Sequence, residues 1–128
     1  MNKYKVLVLE DDPDMAAMLK ITLPQYEVIT CTEKAHAVNK AKKHLLEHGA
    51  PDVFLIDLII NGEGGLDFYQ WVCEHKFYAP VIFLTGCHPH SPEFVSALET
   101  GEIVYEKDQF SSKTLARYIS ELVLEKAS

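Results

Sequence analysis

Four short apolar runs in this chain each end in side chains able to do chemistry. Val6-Leu7-Val8-Leu9 leads into Glu10-Asp11-Asp12, and Val53-Phe54-Leu55-Ile56 leads into Asp57. Val81-Ile82-Phe83-Leu84 leads into Thr85-Gly86, and Ile103-Val104-Tyr105 leads, after Glu106, into Lys107. Runs this apolar read as strands buried on both faces. A charge left unpaired in such a core costs several kcal/mol or more, so each polar group must sit where its strand leaves the core. In an open parallel sheet the ligand crevice lies outside the carboxyl ends of the strands. Three acids, a hydroxyl and an ammonium therefore converge on one edge, and a cation would offset the excess of acid.

The elements that carry these groups can be read in order. Asp12 has the context of a helix N-cap, with Pro13 at the first helical position and Asp14 in the first turn. Met15, Leu19 and Leu23 form one apolar stripe, and Pro24 stops the helix. Tyr26 to Thr30 alternates and suits a second, shorter strand nearer the sheet edge. The second helix is expected from Glu33 to His48, with Val38, Ala41 and Leu45 inward and Gly49 ending it. Pro51-Asp52 breaks the chain before the central strand, and Asn61-Gly62 with Gly64-Gly65 demands a tight turn after it. A third helix, Leu66 to His75, is expected to turn Leu66, Tyr69 and Cys73 inward. Two prolines and a serine make Cys87 to Pro92 a loop. Pro92 to Thr100 is a short helix, and the last helix starts near Ser111 with Leu115, Ile119, Leu122 and Val123 inward. Strand and helix alternate five times, which implies a parallel sheet covered on both sides.

Composition sets the outer bounds. At 128 residues, 48% of them apolar, the chain is expected to be a single domain, residues 1–128, with a core that needs no staples. Its three cysteines are widely spaced and form no CxxC, so neither disulfides nor a structural zinc site is expected. The first strand begins almost at once, leaving no room for a signal peptide, and no run is long enough for a membrane span. The expectation is a cytoplasmic protein. A net charge of −7 argues against direct nucleic-acid binding.

Taken together, Glu10-Asp11, Asp57 with Gly65-Leu66 beyond it, Thr85-Gly86 and Lys107, each at a strand end and in this order, resemble the receiver domains of bacterial two-component response regulators. The resemblance covers Lys5 to about Leu124. It implies a flavodoxin-like α/β fold, a doubly wound five-stranded parallel sheet of order 2-1-3-4-5 with five helices. It implies that Asp57 is the phosphoacceptor, since a carboxylate can attack a phosphoryl group to give a mixed anhydride. Mg²⁺ is implied at Glu10, Asp11 and Asp57, with the backbone carbonyl of Ile59 as a further ligand. Lys107 and the Thr85 hydroxyl are implied to meet the phosphoryl oxygens, and Gly86 to leave room for them. The phosphate would come from a histidine kinase or a histidine phosphotransfer protein. The output would pass to an effector or a dimer partner through helix four, strand five and helix five, Pro92 to about Leu124. Such a protein is not an enzyme beyond assisting its own phosphorylation and dephosphorylation.

The chain also departs from that pattern. Asp108 follows Lys107 where a proline is usual, so a trans peptide is expected there. Asn61 replaces a second usual proline, four residues after Asp57. Val104 stands three residues before Lys107, where the family carries its switch aromatic, and Tyr105 comes one later, on the opposite side of the strand. A pseudo-receiver that keeps the fold without using phosphate is the alternative reading. An aspartyl-nucleophile phosphatase wants a second Asp where Ile59 stands, and a flavin site wants a Ser/Thr/Gly-rich loop where this chain has Glu10-Asp11. Asp12 and Asp14 are expected to cap a helix, His88 and His90 to be solvated loop residues, and Cys87 to be an inert neighbour of the site.

Overall fold

The computed structural model describes residues 3–32, 36–60, 63–109 and 111–127. Five strands, β1 (Lys5–Leu9), β2 (Glu27–Cys31), β3 (Val53–Asp57), β6 (Val81–Thr85) and β7 (Ile103–Glu106), form one parallel sheet in the order β2-β1-β3-β6-β7. This is the flavodoxin-like order expected from the sequence, once a small hairpin is set aside. That hairpin, β4 (Ile59–Ile60) with β5 (Glu63–Gly64), is antiparallel and lies between β3 and the following helix. Strands of two residues show no periodicity, and the sequence signals only a glycine turn there. Asn61 and Gly62 lie outside the described residues.

Alternation along the strands sorts the core into two layers. Leu7, Leu9, Phe54, Ile56 and Phe83 pack under α2 (Ala37–His48), α3 (Gly65–Glu74) and α4 (Pro92–Glu99). Val6, Val8, Val53, Leu55, Ile82 and Leu84 face α1 (Pro13–Thr22) and α5 (Ser112–Ala127). Burial on both sides is why β3 and β6 carry no alternation with polar residues.

The helix boundaries follow their caps. Asp12 Oδ1 accepts the Asp14 N–H at 2.9 Å, so the capping role expected of Asp12 is met. Ser91 Oγ accepts from Phe94 N at 3.3 Å and starts α4 in the same way. Within α2, Ala41 and Leu45 are buried as expected, joined by Ala37. The Glu33 start expected for that helix lies outside the described residues. Helix α3 differs from expectation: Gly65, Phe68 and Val72 are buried, Leu66 and Tyr69 are half-buried, and Cys73 is exposed. Two apolar stripes overlap on this helix, and the one containing Phe68 wins because that ring packs edge-on against Phe54 in the core.

Candidate functional site

The strand register brings the polar ends into line. Leu9 pairs with Ile56, Asp57 with Leu84, and Thr85 with Glu106. Glu10 therefore emerges beside Asp57 on one side, and Thr85 and Lys107 on the other. Among the described residues, the buried polar side chains are Glu10, Asp57 and Thr85, at 0%, 4% and 1% exposure. All three stand at this one edge. A protein tolerates such burial where the groups find partners or serve a function.

Lys107 is the main partner. From a single 3₁₀ turn, Lys107–Gln109, its Nζ donates to Glu10 Oε1 at 2.7 Å and to Asp57 Oδ2 at 2.9 Å. The Ile59 N–H donates to the other Asp57 oxygen, Oδ1, at 3.2 Å. The Asp57 carboxylate is thus fixed by a cation on one oxygen and an amide on the other, and each oxygen keeps a further lone pair. Thr85 Oγ1 accepts the Cys87 N–H at 2.8 Å, which fixes the hydroxyl in a turn at the end of β6.

One ammonium does not neutralise two buried carboxylates. Burial, and then the neighbouring Asp57 carboxylate, push the Glu10 carboxyl up to about 8, against the opposing pull of Lys107. Burial alone would lower the Lys107 ammonium, but its hydrogen bonds to Glu10 and Asp57 outweigh that and raise it. Glu10 Oε2 is buried and, among the described residues, has no hydrogen-bond partner. Carboxylate oxygens of Glu10, Asp11 and Asp57 lie within 4.8 Å of one another. An orphaned carboxylate oxygen in an all-oxygen cluster with surplus negative charge fits a small hard cation.

The turn behind Asp57 is sterically tight. The Gly65 N–H donates to Leu58 O at 2.7 Å, and a Cβ on Gly65 would run into the Asp57 carbonyl oxygen. It would also stand 3.1 Å from Ile56 Cγ2. Forcing a methyl into a packed site costs about 1–3 kcal/mol. The Gly65→Ala protein is expected to unfold at a lower urea concentration with an unchanged slope. A midpoint equal to that of the native protein would show that the α3 entry gives way freely. By contrast, a Cβ on Gly86 would meet nothing within 4 Å outside its chain neighbours, so that position opens on free space.

Of the residues singled out from sequence, Glu10, Asp11, Asp57 and Lys107 come together directly, Thr85 stands at the adjoining strand end, and Ile59 reaches Asp57 through its amide. His88 and His90 are exposed in the loop as expected, with the His90 N–H on His88 Nδ1 at 3.1 Å. Val104 packs on the α2–α3–α4 side of the sheet and Tyr105 on the α1–α5 side, so Tyr105 faces away from the layer that holds Phe83. The Lys107–Asp108 peptide is trans. Sequence reasoning missed the pairing of Lys107 with Glu10. It expected the lysine to meet an incoming group and had no signal for a resident partner 97 positions away.

Comparison with known proteins agrees with this geometry. Residues 6–119 match the family model described as the response regulator receiver domain. The chain is 31% identical over 67% of its length to the response regulator protein PilR of Pseudomonas aeruginosa, and spans 19% of that protein. It is 33% identical over 82% of its length to the transcriptional regulatory protein KdpE of Mycobacterium tuberculosis, spanning 44% of it. Among solved structures, the Francisella response regulator 1452 receiver domain has a TM-score of 0.76 at 22% identity, covering 96% of this chain and 98% of that one. The Vibrio cholerae chemotaxis protein CheY4 has a TM-score of 0.72 at 25% identity, with 94% and 98% covered.

Proposed function

The chain belongs to the response regulator receiver domain family, and from that premise we propose that it is a phosphoacceptor switch of a two-component phosphorelay, with Asp57 as the acceptor. Residues 1–128 would form a single such domain. One observation carries the reading: the Asp57 carboxylate, at the end of the central strand, is held between the Lys107 ammonium and the Ile59 amide beside an orphaned Glu10 oxygen.

Asp57 attacks the phosphorus of the donor. An aspartyl O–P bond forms as the donor bond to phosphorus breaks, and the leaving histidine or acetate takes that electron pair. Lys107 lies within reach of the charge that develops on the phosphoryl oxygens, and it can meet that charge without losing Glu10. Thr85 accepts the Cys87 amide through a lone pair, which leaves its O–H free to donate to an arriving oxygen. Glu10, Asp11 and Asp57, with the Ile59 carbonyl, are the proposed ligands of Mg²⁺. When bound, the ion supplies Lewis-acid stabilisation of the phosphoryl charge. The protein turns over no substrate of its own and assists only its own phosphorylation and dephosphorylation. A histidine kinase or a histidine phosphotransfer protein in the cytoplasm is the proposed donor. The α4–β7–α5 surface is the proposed contact for an effector or a second copy. No helix among the described residues is long and apolar enough to cross a membrane.

The test is incubation with acetyl phosphate and Mg²⁺, read by intact mass. The expected result is a gain of one phosphoryl group that depends on both reagents. No gain would leave the pseudo-receiver reading in its place.

Metal binding has its own readout. Crowded carboxylates destabilise the fold until a cation separates them, and a ligand held at 100 times its Kd adds about 2.7 kcal/mol. Mg²⁺ is expected to raise the melting temperature by several degrees, and Asp11→Asn to remove most of that rise. Equal shifts in the two proteins would refute the assignment of Asp11 to the ion.

A further inference from the structure

Lys107 does its work from a single 3₁₀ turn between the last strand and the last helix. The proline that usually follows such a lysine is absent, and Asp108 stands in its place. Something else must hold the turn, because Nζ meets two carboxylate oxygens at once, at 2.7 and 2.9 Å.

Tyr105 lies two residues before Lys107, is 6% exposed as a residue in the layer containing Leu115 and Ile119, and its ring stands edge-on to Tyr118 with centroids 5.9 Å apart. Packing of that kind would be served equally well by phenylalanine. The hydroxyl does something phenylalanine cannot. It accepts the Ser111 N–H at 2.7 Å and donates within the same loop, with Gln109 O at 3.1 Å and Ser111 O at 3.4 Å. These three partner atoms are backbone groups of the segment that begins with Lys107 and ends at the start of α5. A hydroxyl has one hydrogen, so it serves one carbonyl at a time, and the nearer is Gln109. The result is a staple that closes the turn from Tyr105 to Ser111 across the lysine. Ser111 in turn caps α5 by accepting the Thr114 N–H at 3.3 Å, so the staple is anchored to a helix start.

We propose that Tyr105 is the positioning residue for Lys107, its hydroxyl holding the turn in the shape that lets the ammonium span Glu10 and Asp57. The role in phosphoryl transfer rests on the phosphoacceptor reading; the structural role does not. In this chain the β7 aromatic is a fixed strut on the α5 side, and the position used elsewhere as a switch is filled by Val104.

The test uses Tyr105→Phe, which keeps the ring and removes the staple. In brief competitive acetylation with acetic anhydride, Lys107, whose side chain is 27% exposed and doubly paired, reacts slowly beside Lys43 at 76%. In the folded variant the reactivity of Lys107 relative to Lys43 is expected to rise about fivefold, the weight of one neutral hydrogen bond. Unchanged relative reactivity would overturn the proposal. Acetyl phosphate labelling of Asp57 is expected to slow by about 10- to 10²-fold, the cost of a misplaced catalytic group. In a Lys107→Ala background the same substitution should slow labelling no further, whereas a general packing defect would slow it equally in both backgrounds. If Tyr105→Phe fails to fold, Ser111→Pro, which removes both the donor and the α5 cap, is compared by the same two readouts with Ser111→Ala, which removes the cap alone; equal effects of the two would overturn the proposal. A native protein that takes no phosphate would end the phosphoacceptor reading, and the acetylation ratio would still decide the role of Tyr105.

Discussion

The Asp57→Asn protein is expected to fold and to take up no phosphoryl group from acetyl phosphate and Mg²⁺. The loss should be complete, because an amide oxygen is not a competent nucleophile toward phosphorus, and among the described residues no other carboxylate stands at the end of the central strand between Lys107 and the Ile59 amide. Glu10 is fully buried, with one oxygen on Lys107. Asp11 brings a carboxylate oxygen within 4.8 Å of the cluster, but it precedes the first helix, whereas Asp57 is fixed at the strand end by the Lys107 ammonium and the Ile59 amide. Folding should survive because the substitution removes charge from a cluster that carries too much of it. With Asn at this position, Glu10 and Lys107 remain as a matched pair at 2.7 Å. One donor–donor conflict arises, since the amide group cannot accept from both Lys107 and Ile59, and that costs about 1–3 kcal/mol. Relief of carboxylate repulsion offsets part of this. Intact mass before and after incubation reads the first claim, and a melting curve reads the second. Labelling that persists in the variant would place the acceptor elsewhere and undo the assignment.

Most of what makes this expectation possible is visible in the sequence, for a physical reason. A parallel strand buried on both faces must be apolar throughout, so a charged residue in register with its end stands out against Val53 to Ile56 or Val6 to Leu9. Four such ends, ordered as the fold requires, locate the edge where Glu10, Asp57 and Thr85 are buried. The sheet order and the Asp12 cap follow from equally local signals. What the sequence left illegible depends on the third dimension. The Lys107–Glu10 pair joins residues from opposite ends of the chain, and no periodicity encodes which carboxylate a lysine meets first. The β4–β5 hairpin is too short to have a pattern. Along α3, apolar residues occupy more than one stripe, and only the position of Phe54 decides that Phe68 goes inward and Cys73 does not. The importance of Gly65 is of the same kind: a glycine after a turn reads as freedom, while the structure shows a backbone approach that admits no Cβ.

Phosphate on Asp57 is expected to be long-lived. It is lost when water attacks phosphorus in line with the aspartyl oxygen, and that attack is faster when a side chain orients the water or takes its proton. The residues two places beyond Asp57 and Thr85, Ile59 and Cys87, border the site. Each is tied to it through its amide: Ile59 N–H holds Asp57 Oδ1 at 3.2 Å, and Cys87 N–H holds Thr85 Oγ1 at 2.8 Å. The backbone at these two positions is therefore held against the site by bonds that do not depend on the side chains' own chemistry. A sec-butyl group and a thiol offer water no strong acceptor. Ile59, 43% exposed and two residues beyond Asp57, would offer apolar surface to a phosphoryl group there, where an amide or a carboxylate would offer a hydrogen-bonding one. A positioned acid or base contributes about 10²–10⁴-fold, and mere orientation of water sits at the low end of that range. Native protein, phosphorylated and freed of donor with Mg²⁺ present, should lose its phosphate up to about 10²-fold more slowly than Ile59→Asn combined with Cys87→Glu. Because the two anchoring bonds come from the backbone, the double variant should keep Asp57 and Thr85 in place, so a faster decay would report on water and not on a damaged site. Equal decay in the two proteins would mean that water reaches phosphorus without help from either position, and the lifetime would have to be set elsewhere.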